Sequence, residues 1–261
     1  MDLNWQTTFL PWVNIFFTIF VILVPIYIGQ RIGKLAVKKQ WNSDEASIGT
    51  VVGASLGLLA FMLAFTFQIA SNKFDTRKQL YLEQVSNMRQ IYLLSSLLPE
   101  QQRINSRKSL EIYVNSQVNF LTKEDSFKKE IKVMNDAQKS LWQVCEALAK
   151  ESISSEIYSL YTDAVTEQIN IHNERIAVSI QFRIPKSILY SLYCTAFFSM
   201  LALGFQFGIA GKSTHFIKIS MALTFASVVW VIIALDNPET RLINVNPITL
   251  IEFQKEITKT P

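Results

Sequence analysis

The chain has 261 residues, 49% of them apolar, and a net charge of +4. It is too apolar for a disordered chain, and its basic residues are interleaved with acids rather than gathered in one stripe, which argues against a nucleic-acid partner. The two cysteines, Cys145 and Cys194, lie far apart and make no disulfide framework.

Four long apolar windows, about 9–29, 48–70, 187–209 and 216–235, each approach the roughly 20 residues needed to cross a bilayer. They predict an all-α membrane protein with four transmembrane helices and a helical soluble bundle inserted between the second and third. Residues 1–8 form a short polar tail. Span one has Trp5 and Trp12 near one end and Tyr27 near the other, as interfacial anchors. Pro25 predicts a bend within it. No basic residue precedes this window, while Arg31, Lys34, Lys38 and Lys39 follow it, the pattern of an anchor rather than a cleaved signal. Residues 30–47 read as a short loop. Ser43 is the expected cap of the next helix, with Asp44 and Glu45 in its first turn favoured by the helix dipole.

The stretch from Ile48 to Leu98 organises the chain. It starts as a lipid-grade run, IGTVVGASLGLLAFMLAFTFQIA, and continues into a charged amphipathic run with no breaker between Gly57 and Pro99. One helix on the order of 75 Å long is expected, against an apolar bilayer core of about 30 Å. In its membrane half Gly49, Gly53, Gly57, Ala60 and Ala64 form a small-residue stripe that lets a neighbouring helix approach closely, from the same or another subunit. Phe61, Phe65 and Ile69 follow at i, i+4 and i+8. Such a stripe can face lipid or core, or form an apolar constriction that gates by dewetting.

The segment 71–185 contains no glycine, and its prolines are Pro99 and Pro185. Apolar positions recur in steps of three and four. They run through Phe74, Tyr81, Val85, Met88, Tyr92 and Ser95, then through Ile104, Leu110, Val114, Val118 and Leu121. Phe127, Ile131, Met134, Gln138, Leu141, Cys145 and Leu148 make a nearly unbroken seven-residue repeat. Ile153, Ile157, Leu160, Ala164, Ile171, Val178 and Phe182 lead straight on into span three. These stripes predict four packed helical pieces, the first and last extending spans two and three. The domain expectation is therefore spans one and two over 1–70, a soluble bundle over 71–185, spans three and four over 186–236, and a polar tail over 237–261. Within that tail Ile248, Leu250, Ile251 and Phe253 form an apolar cluster suited to docking back on the protein.

No reactive constellation emerges. Gly211-Lys212-Ser213 ends like a phosphate loop, but position 206 is Gln where that motif needs glycine. His172 and His215 stand isolated from other metal-ligating types. The sequence calls for no enzyme activity, no cofactor and no metal. No ionisable residue lies deep in a span, which argues against a proton-coupled carrier. On charge, the 30–47 and 209–217 loops vote for a cytoplasmic location, while Lys73, Arg77, Lys78, Arg183 and Lys186 on the opposite flank nearly balance them.

The run VGASLGLLAFMLAFTF with its charged continuation, then LLPEQQR, then NERI and RIP before span three, then LDNP at the end of span four, resembles the DUF4239, or bestrophin-like domain, family. The resemblance spans about 45 to 250 and implies a likeness to bestrophins, pentameric anion channels whose second span lines the pore and carries an apolar neck. It implies neck positions at Phe61, Phe65 and Ile69, with Gly49, Gly53 and Gly57 toward one mouth. It also implies a cytoplasmic location for the segment between spans two and three, opposite to the short-loop count. No acidic run follows span four, so the calcium clasp of eukaryotic bestrophins is not implied. The expected partners are the lipid bilayer, further copies of the chain as a homo-oligomer, and small inorganic ions, in a cell membrane of bacterial inner-membrane type. The rival expectation is a membrane-anchored helical scaffold or sensor without a pore.

Overall fold

The structure is a computed structural model that describes residues 11–40, 45–122, 127–151, 154–178, 184–211, 215–236 and 247–259. The described residues form eight helices and no strand: α1 (Pro11–Lys38), α2 (Glu45–Ser95), α3 (Glu100–Thr122), α4 (Phe127–Leu148), α5 (Ser155–Ile176), α6 (Lys186–Ile209), α7 (His215–Asp236) and α8 (Ile248–Lys259). Four of them, α1, α2, α6 and α7, are long and apolar enough to cross a membrane. The chain divides into two compact units. One holds α1, α2 as far as Phe74, α6 and α7; the other holds α2 from Asp75 onward, α3, α4, α5 and α8.

Three expectations need correction. The predicted 30–47 loop is mostly helix, because α1 continues to Lys38. Arg31, Lys34 and Lys38 lie in its last turns, where the negative end of the helix dipole favours cations. The helix stops where Gln40 takes a left-handed φ of 52°. Pro25 lies inside α1 and does not end it. The expected cap at Ser43 and Asp44 falls outside the described residues. On the other side, span three does not begin as an unbroken continuation of the bundle. α5 ends at Ile176 and α6 starts at Lys186 after Pro185, whose ring forbids an upstream helical hydrogen bond and biases Ile184 to extended backbone. Ile104 and Leu160 are exposed rather than buried.

In the first unit α1 packs against α6 and α7. The α1–α6 crossing is set by four glycines, Gly29 and Gly33 on one helix and Gly204 and Gly208 on the other. A Cβ added at any of them would stand under 3 Å from the backbone of the opposite helix. Such contact is how helices gain attraction in lipid, where apolar burial drives little association. Around it lie Ile22, Ile26, Leu192, Ala196, Met200 and Leu203 in one buried cluster. α6 ends as helices commonly do, with the Ala210 amide bonded to Gln206 and Gly211 at φ +66°.

The second unit packs α3 against α4 and α8, and α4 against α5. The heptad of α4 is buried as its spacing predicts, at Met134, Gln138, Leu141, Cys145 and Leu148. On α2, Tyr81, Val85, Met88, Tyr92 and Ser95 are likewise buried. α8 seats Leu250, Phe253 and Ile257 in the same apolar core. Through that core runs a directional chain of polar groups. Gln117 Nε2 donates to Gln84 Oε1 at 2.9 Å, and Gln84 Nε2 donates to the Tyr113 hydroxyl at 2.7 Å. Tyr113 Oη lies 2.7 Å from His172 Nδ1, and His172 Nε2 lies 2.8 Å from Asn135 Oδ1. Asn135 Oδ1 can only accept, so Nε2 carries the imidazole proton and Nδ1 accepts from Tyr113. Tyr113 and Asn135 together keep these bonds to the ring only while His172 is neutral. Burial, with the Arg175 guanidinium as a second cause, lowers the His172 pKa to about 4.

Two predictions follow from these contacts. Gly204→Ala forces the α1 and α6 backbones apart and lowers stability by about 1–3 kcal/mol. Gly57→Ala meets nothing within 4 Å and leaves protomer stability equal or higher; thermal unfolding in detergent compares the two. Because the folded pKa of His172 lies below its unfolded value, the unfolded chain binds the extra proton between about pH 6.5 and 4. Stability is therefore present above pH 6.5 and falls by about 3 kcal/mol as pH drops through that window. His172→Gln removes this part of the pH dependence of unfolding.

Candidate pore-lining face of α2

α2 holds its helix for 51 residues with no proline, and its glycines lie in the first quarter of its length. Within the apolar part its hydroxyls are satisfied locally. Thr50 donates to the Ala46 carbonyl at 3.0 Å, Ser55 to Val51 at 2.6 Å and Thr66 to Met62 at 2.7 Å. A helix that answers its own polar groups in this way can present any side to lipid or to a neighbour.

The side turned to its own chain carries Val52, Leu59, Thr66 and Ala70, all buried and spaced by sevens and a four. Ser199 of α6 reaches it too, donating to the Ser55 carbonyl at 3.1 Å. Leu56, Met62, Leu63 and Ile69 flank this line and are partly covered, and the remaining sectors of the apolar stretch are exposed. Only 11% of it is buried, against 28–33% for the other three spans.

The sequence-predicted residues fall as follows. Gly53 and Gly57 have nothing within 4 Å of a Cβ, and Gly49 meets only the Gln206 amide of α6 at 3.4 Å. Ala60 and Ala64 are exposed. Phe61 and Phe65 are 65% and 51% exposed, and their rings stack 6.4 Å apart at 14°. Ile69 parts company with them, packing against a cluster of Ala70, Ile184, Ile232 and Leu235. At about 100° per residue, the small stripe lies roughly a third of a turn from the buried side, and the Phe pair lies nearly opposite that side. Phe61, Met62 and Phe65 also border an open groove of about 420 Å³, completed by Ser187, Ile188 and Ser191 of α6.

At the far end of this stretch Asp236, closing α7, accepts from the Ile184 amide at 3.0 Å and pairs with Lys73 of α2 at 3.6 Å. The last acid of span four thus accepts from the backbone that leads into span three.

Two features escaped sequence reasoning. The α1–α6 glycines carry the same four-residue spacing as the stripe on α2 and were legible by that signal. Lys218 lies fully buried in the first turn of α7, bonded to Gln30 Oε1, with its Nζ 4.6 Å from the Tyr27 ring centroid. Tyr27 in turn meets His215 Nδ1 at 3.1 Å. Lys218 sits at a span end, where a long side chain reaches inward to neutral polar partners. Among the described residues no group of three or more His, Cys, Asp or Glu could hold a metal.

Comparison with known proteins bears on this geometry. Crystal structures of a bacterial bestrophin homologue from Klebsiella pneumoniae share the fold. One variant superposes with a TM-score of 0.65 at 14% identity, covering 94% of this chain and 99% of its own. A second variant gives 0.64 at 14% identity, covering 94% and 98%. A crystal structure described as a membrane protein gives 0.65 at 17% identity, covering 94% and 97%. No curated protein matches the sequence. The model of the bestrophin-like domain matches residues 15–250, from within α1 to the start of α8, and the chain therefore belongs to the bestrophin-like family.

Proposed function

We propose that this protein is a homo-oligomeric ion channel that conducts anions, with α2 of each copy set around a central pore. The observation that carries this reading is the uncovered membrane half of α2. A stripe of glycine and alanine and a pair of stacked phenylalanines occupy neighbouring sectors of it, and apart from Gln206 beside Gly49 and the groove that Phe61 and Phe65 share with α6, no described residue covers them. Glycine left against lipid gains nothing, whereas glycine against a second helix permits close contact. In a ring of copies the small stripe would take the neighbouring subunit while Phe61 and Phe65 turn to the axis as an apolar neck. Ile69 would mark the end of that neck, where α2 returns to its own chain. The family likeness supports a five-fold ring.

Anions are favoured by charge. Residues 46–72 hold no charged side chain; Lys73, paired with Asp236, then Asp75, Arg77 and Lys78 follow on the same helix and leave that end net positive. Those cations raise the local concentration of anions at one end of an uncharged path. A cation pathway would call for acidic rings, and the apolar stretch of α2 has no acid.

Chloride efflux from liposomes carrying the purified protein checks conduction. The expected result is efflux that rises severalfold in Phe65→Ala and Phe61→Ala as the neck widens and wets. No efflux from the parent or from either variant would leave a tethered helical bundle instead. Assembly has its own test in a Cys194→Ser background. Gly57→Cys, with no described residue within 4 Å of its Cβ, should give oxidative crosslinks between copies, and Leu93→Cys on the exposed side of the second unit serves as the comparison. A disulfide-linked dimer is expected for Gly57→Cys, since one thiol per copy can join only two copies; monomer alone would count against helix-to-helix contact at the stripe.

A further inference from the structure

The first unit gathers cations at one of its ends and gives them few acids. The last turns of α1 and α6 and the first turns of α2 and α7 meet there. Gly33 lies against Gly208, Gly49 against Gln206, and Lys218 against Tyr27 and Gln30. Among the described residues this end holds five cations, Arg31, Lys34, Lys38, Lys39 and Lys218, and one acid, Glu45. The ion pairs of the described residues include none of the five. The opposite end of the unit is built differently, for Lys73 there is answered by Asp236 at 3.6 Å.

The cations of α1 are not scattered. At about 100° per residue, Tyr27, Gln30, Arg31, Lys34 and Lys38 share roughly 100° of arc. This is the sector that α1 turns to the first turn of α7, where Tyr27 meets His215 and Gln30 meets Lys218. Gly29 and Gly33 lie well away from it, against α6. Lys218 enters the sector from α7. Its ammonium meets a neutral amide oxygen and the face of the Tyr27 ring, and Lys34 stands near enough to repel it. Like charges at a membrane boundary, one of them fully buried, are costly until an anion lies between or beside them. Arg31, Lys34 and Lys38 are exposed, so an anion can reach them.

The surroundings select the kind of anion. Large apolar side chains stand uncovered beside these cations, Ile28, Ile32 and Leu35 on α1 and Phe216, Ile217 and Ile219 on α7, all 41–77% exposed. A water-soluble anion would leave them bare. A phospholipid covers them with its acyl chains while its phosphate comes to rest at the level of the cations.

We propose that Arg31, Lys34 and Lys38, set over the buried Lys218, bind the phosphate of an anionic phospholipid at the seam between the end of α1 and the start of α7. The lipid supplies from outside the negative charge that Asp236 supplies at the other end. This reading does not rest on conduction, and Phe61→Ala, which alters efflux, should spare it.

Unfolding of the full chain in dodecyl maltoside micelles, followed by circular dichroism, tests the proposal. Dioleoyl phosphatidylglycerol added to the micelles should raise Tm saturably. Dioleoyl phosphatidylcholine, with the same chains and no net charge, should not, and neither should glycerol 3-phosphate, which has the phosphate without the chains. Lys34→Gln and Lys38→Gln, at exposed positions, should fold normally and each raise the half-saturating phosphatidylglycerol content about fivefold, the worth of one cation at an anionic lipid surface. Lys186→Gln, an exposed cation where α6 begins at the opposite end of the unit, should leave the response unchanged. Equal responses to the two lipids, or a phosphatidylglycerol response unaltered in both Lys34→Gln and Lys38→Gln, overturn the proposal. A rise with glycerol 3-phosphate as large as with the lipid overturns it in favour of a free phosphate. A loss in Lys186→Gln equal to that in Lys34→Gln overturns it in favour of general attraction between cations and an anionic surface.

Discussion

Two backbones in van der Waals contact hold the first unit together. In water a helix pair is driven by the burial of apolar side chains; in lipid that drive is weak, and contact itself must supply the attraction. Gly29 and Gly33 against Gly204 and Gly208 supply it by removing every atom that would keep α1 and α6 apart. Once these two are locked, α7 has a face of α1 to lie on, and Ile22, Ile26, Met200, Phe225 and Val229 close around them. Everything else in this unit is arranged about a crossing that has no side chains at its centre.

α2 is the element that this crossing leaves only partly used. It touches its own chain along a line through Val52, Leu59, Thr66 and Ala70, flanked by the partly covered Leu56, Met62, Leu63 and Ile69, and turns most of its remaining apolar surface outward. The same helix then enters a different environment after Phe74. There Tyr81, Val85 and Met88 are covered by a bundle whose centre is partly polar, with Gln84, Tyr113, Gln117 and His172 bonded in sequence. One helix thus carries two grammars. In its first half small residues and local hydroxyl bonds matter; in its second, a heptad-like stripe with buried amides. A side chain moved from one half to the other would be wrong in both.

Much of this was legible in the residues. The four spans follow from length and charge, and the continuity of α2 from the lack of any breaker before Pro99. The burial of α4 follows from its seven-residue repeat, and the docking of α8 from the apolar cluster around Leu250 and Phe253. The misreadings have physical causes. Arg31 and Lys34 looked like loop residues because hydropathy does not distinguish a helix end in the interface from a turn. Ile104 and Leu160 were assigned to the core because apolar character was followed there, whereas α3 buries Gln102, Ser106, Ser109 and Gln117 instead. Buried amides and hydroxyls look like surface until their partners are known, and those partners lie on other helices. The candidate neck shows the same limit. Spacing grouped Phe61, Phe65 and Ile69, but tertiary packing drew Ile69 back into its own chain.

The seating of α8 has a consequence for how the protein is made. Leu250, Phe253 and Ile257 complete a core whose other walls are α2 through α5, so the bundle lacks one side until α8 has been made. Between those walls and that closing piece the chain must thread two further membrane helices, α6 and α7. Contacts joined across so long a stretch of sequence form late and slowly. The third and fourth spans are therefore made before the bundle can close, and a chain that stops short of α8 leaves uncovered the core residues that Leu250, Phe253 and Ile257 would meet.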